Sequence, residues 1–178
     1  NCAENFMDVP HTVFVHAGWF RPKGSKTVCA TVERTGQSVL VEYRSEDDSI
    51  GYSHMLLNPG NEPMTHTDKF YMPNITRVDY GFGSRNGFII TSQCTPVSPM
   101  RTIVYTAITY RLGWLNALAG LFLPPYTRKV IQQDVEIMAN QGEVLGSYAA
   151  DFSNTSADVI HRFIESLREW AESGEKGP

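Results

Sequence analysis

The sequence predicts an α+β domain: a curved antiparallel sheet of about six or seven strands closed on a long helix near the C terminus. Three observations predict it. Between residues 27 and 111, β-branched and aromatic residues alternate with polar ones in short runs, and Gly, Pro, Asn and Asp separate the runs. After residue 111 the period changes from that of a strand to that of a helix. Strands at hairpin spacing followed by late helices put the two kinds of element on different sides of one core.

The elements follow in order. The first sixteen residues read as a short helix entering a loop, with Pro10 limiting the helix. Arg21–Ser25 is a turn. Thr27–Arg34 and Ser38–Arg44 form a hairpin about Gly36, the second alternating Val39, Val41 and Tyr43 with Ser38, Leu40 and Glu42. Glu46–Ser49 and Leu57–Pro63 are loops. Further strands are expected at Phe70–Met72, Thr76–Phe82, Gly87–Thr95 and Thr102–Arg111, with a hairpin turn at Gly83–Gly87 and a break in the sheet at Pro96 and Pro99. Leu112–Phe122 reads as a buried apolar segment stopped by Pro124 and Pro125. Thr127–Tyr148 is a helix. Thr155–Trp170 is another, opened by a capping box of Thr155 with Asp158 and burying Val159, Phe163, Ile164, Leu167 and Trp170. Residues 1–172 make one domain and 173–178 a mobile tail. A sheet curved round a helix encloses an apolar cavity of the kind that takes a small ligand.

At 178 residues, with 42% hydrophobic and 19% charged residues, the chain can bury its own core. A net charge of -4 and the lack of basic runs exclude a nucleic-acid surface. Cys2, Cys29 and Cys94 make no C-x-x-C pair, which fits a reducing compartment and a cytoplasmic protein. The longest apolar run, Leu112–Leu123, is shorter than the roughly 20 residues a membrane helix needs.

The chemistry concentrates near the start. The chain has five histidines, and two of them, His11 and His16, follow Asp8 as Asp-x-x-His-x-x-x-x-His. Composition alone predicts roughly 0.006 such matches by chance. Neutral imidazoles are common ligands of iron and zinc, and two histidines with one carboxylate leave metal positions open, as oxygen-activating Fe(II) requires. His54, His66 and His161 read as solvated. Phe14, Trp19 and Phe20 are candidate walls of a substrate pocket.

The segment Ala3-Glu4-Asn5-Phe6-Met7-Asp8-Val-Pro-His11-Thr-Val-Phe14-Val15-His16 resembles the metal-site segment of Rieske non-haem iron oxygenases. Thr95-Pro96, Ile131-Gln-Gln-Asp134-Val-Glu-Ile-Met-Ala-Asn-Gln141 and a closing Arg-Glu-Trp follow the family's order along nearly the whole chain. The resemblance implies a helix-grip (START-like) catalytic domain. It implies that His11, His16 and Asp134 bind mononuclear Fe(II), with O2 as co-substrate, and that Asp8 bridges electron transfer across a subunit interface. Asn5 is a possible neighbour of the iron, and its short interval to Asp8 leans towards monooxygenases and demethylases. The reaction implied is hydroxylation or oxidative demethylation of an apolar or aromatic substrate. The partners implied are a Rieske domain, a ferredoxin or reductase using NAD(P)H, and further copies in a homotrimer.

A Rieske [2Fe-2S] cluster takes C-x-H and C-x-x-H pairs, and this chain has neither. The cluster is therefore expected on an N-terminal Rieske domain absent from this chain. A second reading is a metal-free helix-grip module that binds a hydrophobic ligand, with structural histidines. A zinc hydrolase ranks last, because no H-E-x-x-H base accompanies the histidines.

Overall fold

In the computed structural model, which describes residues 2–17, 29–44, 57–147 and 153–174, six strands pair in the order in which they occur in the chain. β1 (Cys29–Arg34), β2 (Ser38–Arg44), β3 (Met64–Tyr71), β4 (Ile75–Phe82), β5 (Asn86–Ser98) and β6 (Arg101–Arg111) form one curved antiparallel meander. Two short helices precede it, α1 (Cys2–Met7) and α2 (Val9–Val15). A 3₁₀ turn at Gly113–Leu115, then α3 (Asn116–Ser147) and α4 (Val159–Ser173), follow it. The α+β class and the strand-then-helix order are those the sequence predicts.

Register sorts the side chains by face. Val39, Val41 and Tyr43 of β2 stand opposite Phe70, Asp68 and His66 of β3. Those oppose Thr76, Val78 and Tyr80 of β4, and then Ser92, Ile90 and Phe88 of β5. This is the covered face. At one end Ala3 and Met7 of α1, with Ile164 and Leu167 of α4, pack on Val39, Val41, Phe70 and Cys94. At the other, Leu112, Leu115, Ala119 and Leu123 pack on Tyr80, Phe82 and Phe88. Each buried Val, Leu, Ile, Met or Phe among them, taken from water, stabilises the fold by about 1.5–3 kcal/mol.

Between these apolar ends lies a polar row. The His66 ring is stacked between Tyr43 and Tyr80 at centroid distances of 4.4 and 4.2 Å. Its Nε2 donates to Asp68 Oδ1 at 2.8 Å, while the Tyr43 hydroxyl donates to Asp68 Oδ2 at 3.0 Å. His66 is thus buried on a strand, not solvated in a loop. β3 begins at Met64, well before the expected Phe70, because Thr65-His66-Thr67-Asp68 reads as polar loop until its inward members are seen to satisfy one another.

Prolines account for three further differences. Pro10 falls in the first turn of α2, where its missing N–H costs no bond, so it starts a second helix rather than ending the first. Pro96 lies inside β5, at the irregularity between Pro96 and Ser98 where pairing with β6 shifts. Pro124 and Pro125 sit inside the 32-residue α3. Their fixed φ is helical, so the chain gives up their two N–H donors and continues.

The apolar segment before them is only partly buried. Leu115, Ala119 and Leu123, at helical spacing, face the core, whereas Trp114 and Leu121 are 82% and 76% exposed. In the last helix Ile164 and Leu167 are buried as expected, Val159 is exposed, Trp170 is half-buried, and the helix starts at Val159 rather than Thr155. The Thr155 N–H and hydroxyl both donate to the Asp158 carboxylate at 2.7 Å, so the capping pair forms the turn before the helix.

A left-handed glycine, Gly83 at φ +58°, turns β4 into β5. The expected turn at Arg21–Ser25, the loop at Glu46–Ser49, His54 and residues 175–178 of the expected tail lie outside the described residues. No helix among the described residues is long and apolar enough to cross a membrane.

Candidate metal centre

Three helices build the site. α1 is fixed to the fold through Glu4, whose Oε1 accepts from Arg168 Nη1 of α4 at 2.7 Å and lies 3.4 Å from His161 Nδ1. His161 is therefore a half-buried member of a latch between α1 and α4, not a solvated ring. α1 passes into α2 at Asp8. On a regular helix a five-residue interval separates side chains by about 140° around the axis. α2 ends at Val15, and His16 is its C-cap at φ −104° and ψ 23°, which brings its ring back towards that of His11. α2 packs on α3, which carries Gln133 and Asp134.

The three ligand atoms converge. His16 Nε2 lies 3.1 Å from Asp134 Oδ1, His11 Nε2 lies 3.5 Å from the same oxygen, and the two Nε2 atoms are 3.3 Å apart. Asn5 Nδ2 donates to Asp134 Oδ1 at 3.2 Å. His16 and Asp134 are buried and His11 is half-buried.

The outward sides of the rings identify the tautomers. His11 Nδ1 is hydrogen-bonded to the main-chain carbonyl of Asp8, which can only accept, so Nδ1 carries the proton. His16 Nδ1 donates to Gln133 Oε1 at 3.1 Å. In the neutral rings both Nε2 atoms then hold bare lone pairs aimed at a carboxylate oxygen. Three acceptors this close repel unless a cation lies among them.

Electrostatics agree with that geometry. Burial works against the ionised form of Asp134, yet His11 and His16, which donate to it through Nε2 when protonated, and the bond from Asn5 hold its carboxyl far below the usual range. Burial likewise disfavours charge on His11. Its bonds to Asp134 and to the Asp8 carbonyl, with the two carboxylate charges, still raise its pKa above the ordinary 6.5. A proton and a metal ion thus compete for one place. The donor set of two imidazoles and a carboxylate, with each outward N–H held by an oxygen, fits a divalent first-row metal with open positions.

A family model described as "Vanillate O-demethylase oxygenase C-terminal domain" matches residues 1–162. The chain belongs to this family of Rieske oxygenase C-terminal domains. The fold is also that of a solved structure, the Pseudomonas putida CBB5 NdmA QL mutant with caffeine, with a TM-score of 0.68 at 17% identity. The match covers 99% of this chain and 47% of that one, so the chain spans about half the length of the matched structure. No curated protein matches the sequence.

Sequence reasoning brought together His11, His16, Asp134 and Asn5, and in the structure these four converge. At Asp8 the carbonyl, not the carboxylate, bonds His11, while Oδ2 stands 3.9 Å from Nδ1 and the side chain is 49% exposed. Phe14 is 77% exposed on α2. Trp19 and Phe20 lie outside the described residues. Gln133 was missed. In sequence it is one of several polar residues on a helix, and only its place immediately before Asp134 could have drawn attention to it.

Proposed function

We propose that the chain is the oxygen-activating domain of a Rieske-type oxygenase that holds Fe(II) with His11, His16 and Asp134. The observation that carries this reading is the convergence of two imidazole nitrogens and a carboxylate oxygen within 4.8 Å of one another. A metal-free ligand-binding module has no use for three mutually repelling acceptors, and membership of an oxygenase family supports the same choice.

When bound, such an ion supplies reductive activation of O2. The chain's own residues do the rest. The Asp8 carbonyl and Gln133 hold the outward Nδ1 edges of the two rings, so each would present Nε2 to a metal held there. Asn5 holds the ligand oxygen of Asp134 and so limits how that carboxylate can turn. The exposed carboxylate of Asp8 faces outward beside His11, where a neighbouring subunit's Rieske histidine can approach in a homotrimer. Electrons then come from a [2Fe-2S] domain carried outside these residues, fed by a ferredoxin or reductase using NAD(P)H. The substrate is an apolar or aromatic molecule, hydroxylated or oxidatively demethylated. The family's description as an O-demethylase, and the matched structure's caffeine, favour a methylated aromatic.

Anaerobic loading with Fe(II), followed by metal analysis, tests the reading. The wild-type chain should retain about one equivalent, and His11→Ala, His16→Ala or Asp134→Ala should lose it. Failure of the wild type to retain iron, or retention undiminished in His16→Ala, rejects it.

A further inference from the structure

We propose that Gln133 is the positioning residue that fixes the ring of His16 for metal coordination; this rests on the metal reading above. Gln133 and Asp134 are consecutive on α3, so their side chains diverge by about 100° around the helix axis. They reach opposite edges of one imidazole. Gln133 Oε1 accepts from Nδ1 at 3.1 Å, and Asp134 Oδ1 stands 3.1 Å from Nε2. The ring is buried, and a buried polar edge left without a partner is costly, so this bond holds the ring in one orientation. Without it the ring is free to turn about its Cβ–Cγ bond and carry Nε2 away from Asp134.

The choice of an amide also sets the charge. The main-chain carbonyl behind His11 is neutral, and so is the side chain behind His16. Asp134 is the one anionic ligand of the three, and among the described residues no second carboxylate hydrogen-bonds either ring, the Asp8 carboxylate standing 3.9 Å from His11 Nδ1. A glutamate at 133 would accept the same hydrogen bond and add a negative charge, which raises the basicity of the ligand it holds.

Co(II) titration reads affinity, and the paramagnetically shifted imidazole N–H resonances of the Co(II)-loaded chain read how each ring is held. Wild type should show a slowly exchanging N–H resonance for His16. In Gln133→Met that resonance should be lost to solvent exchange, and Co(II) affinity should fall about tenfold to a hundredfold. Gln133→Glu should keep the resonance and bind Co(II) at least as tightly as wild type. An unchanged His16 resonance in Gln133→Met, or Co(II) affinity within about threefold of wild type, overturns the proposal. If Gln133→Met does not fold, Gln133→Glu decides: loss of its His16 resonance, or affinity lowered about tenfold or more, overturns it. A wild-type chain that takes up no Co(II) rejects the metal reading instead.

Discussion

Acid should strip metal from the His11–His16–Asp134 cluster, and the proton responsible is a histidine proton. Both rings must present a bare Nε2. Burial opposes charge on His11, but its bonds to Asp134 and the Asp8 carbonyl and the nearby carboxylate charges raise its pKa above 6.5. Asp134, despite burial, is held ionised far below that range by His11, His16 and Asn5. It therefore releases no proton when metal binds near neutrality. Metal affinity is fully present above the raised pKa of His11 and falls as pH drops through it, by about tenfold per unit for one expelled proton. The metal-free protein moves the other way. A raised histidine pKa contributes stability that is present below the unfolded value near 6.5 and lost as pH rises through the folded value. The gain in melting temperature on adding metal should therefore shrink on acidification. Co(II) titrations followed by ligand-field absorption, from about pH 8 to pH 6, with melts at each pH, measure both effects. An affinity flat across that range, or one that declines only where carboxylates titrate, refutes the assignment of the competing proton to His11.

Two further predictions concern how the site is supported. Glu4→Gln removes the charge that Arg168 faces and should lower stability by about 1 kcal/mol, a figure kept small because Arg168 is partly solvated. Burial pushes the Glu4 pKa up, but the amino terminus, Arg168 and His161 lower it on balance, so its contribution is present above the unfolded value near 4.5 and is lost as pH falls through the folded one. Urea melts of wild type and variant should accordingly differ at neutral pH and converge in acid. Among the thiols, exposed Cys29 should react readily with a maleimide, whereas Cys94 should stay unmodified until the protein unfolds. Burial, with Cys2 nearby, pushes the Cys94 thiol up to about 11. Labelling of native Cys94 at the rate of Cys29, read by mass spectrometry, contradicts the packing of α1 on the sheet.

The sheet was legible where one face is apolar. Val39, Val41 and Tyr43 alternate cleanly, and β2 occupies its expected residues. It was illegible where the inward face is polar: His66 and Asp68 satisfy each other across the covered face, and no alternation of apolar residues marks their strand. Proline misled for a local reason. Its cost depends on whether an N–H was needed, and at Pro10 in a first turn or Pro96 beside a bulge it was not. The histidines were legible because they share one short segment. Asp134 was reached through a family pattern, since nothing in the local sequence tells a helical aspartate facing α2 from one facing water. Gln133 was hidden for the same reason, because its role exists only once α2 packs on α3.

The contact between His16 and Gln133 joins positions 117 apart in the chain. Bringing such distant points together in an unfolded polymer costs about 4 kcal/mol of loop-closure entropy. The ligand set therefore does not pre-exist in the denatured chain, and all six strands intervene between its halves. An ion held there acts as a removable cross-link around the whole sheet. It can be loaded only after the meander has formed, and once loaded it must leave, or stretch, before the two ends of the domain can separate.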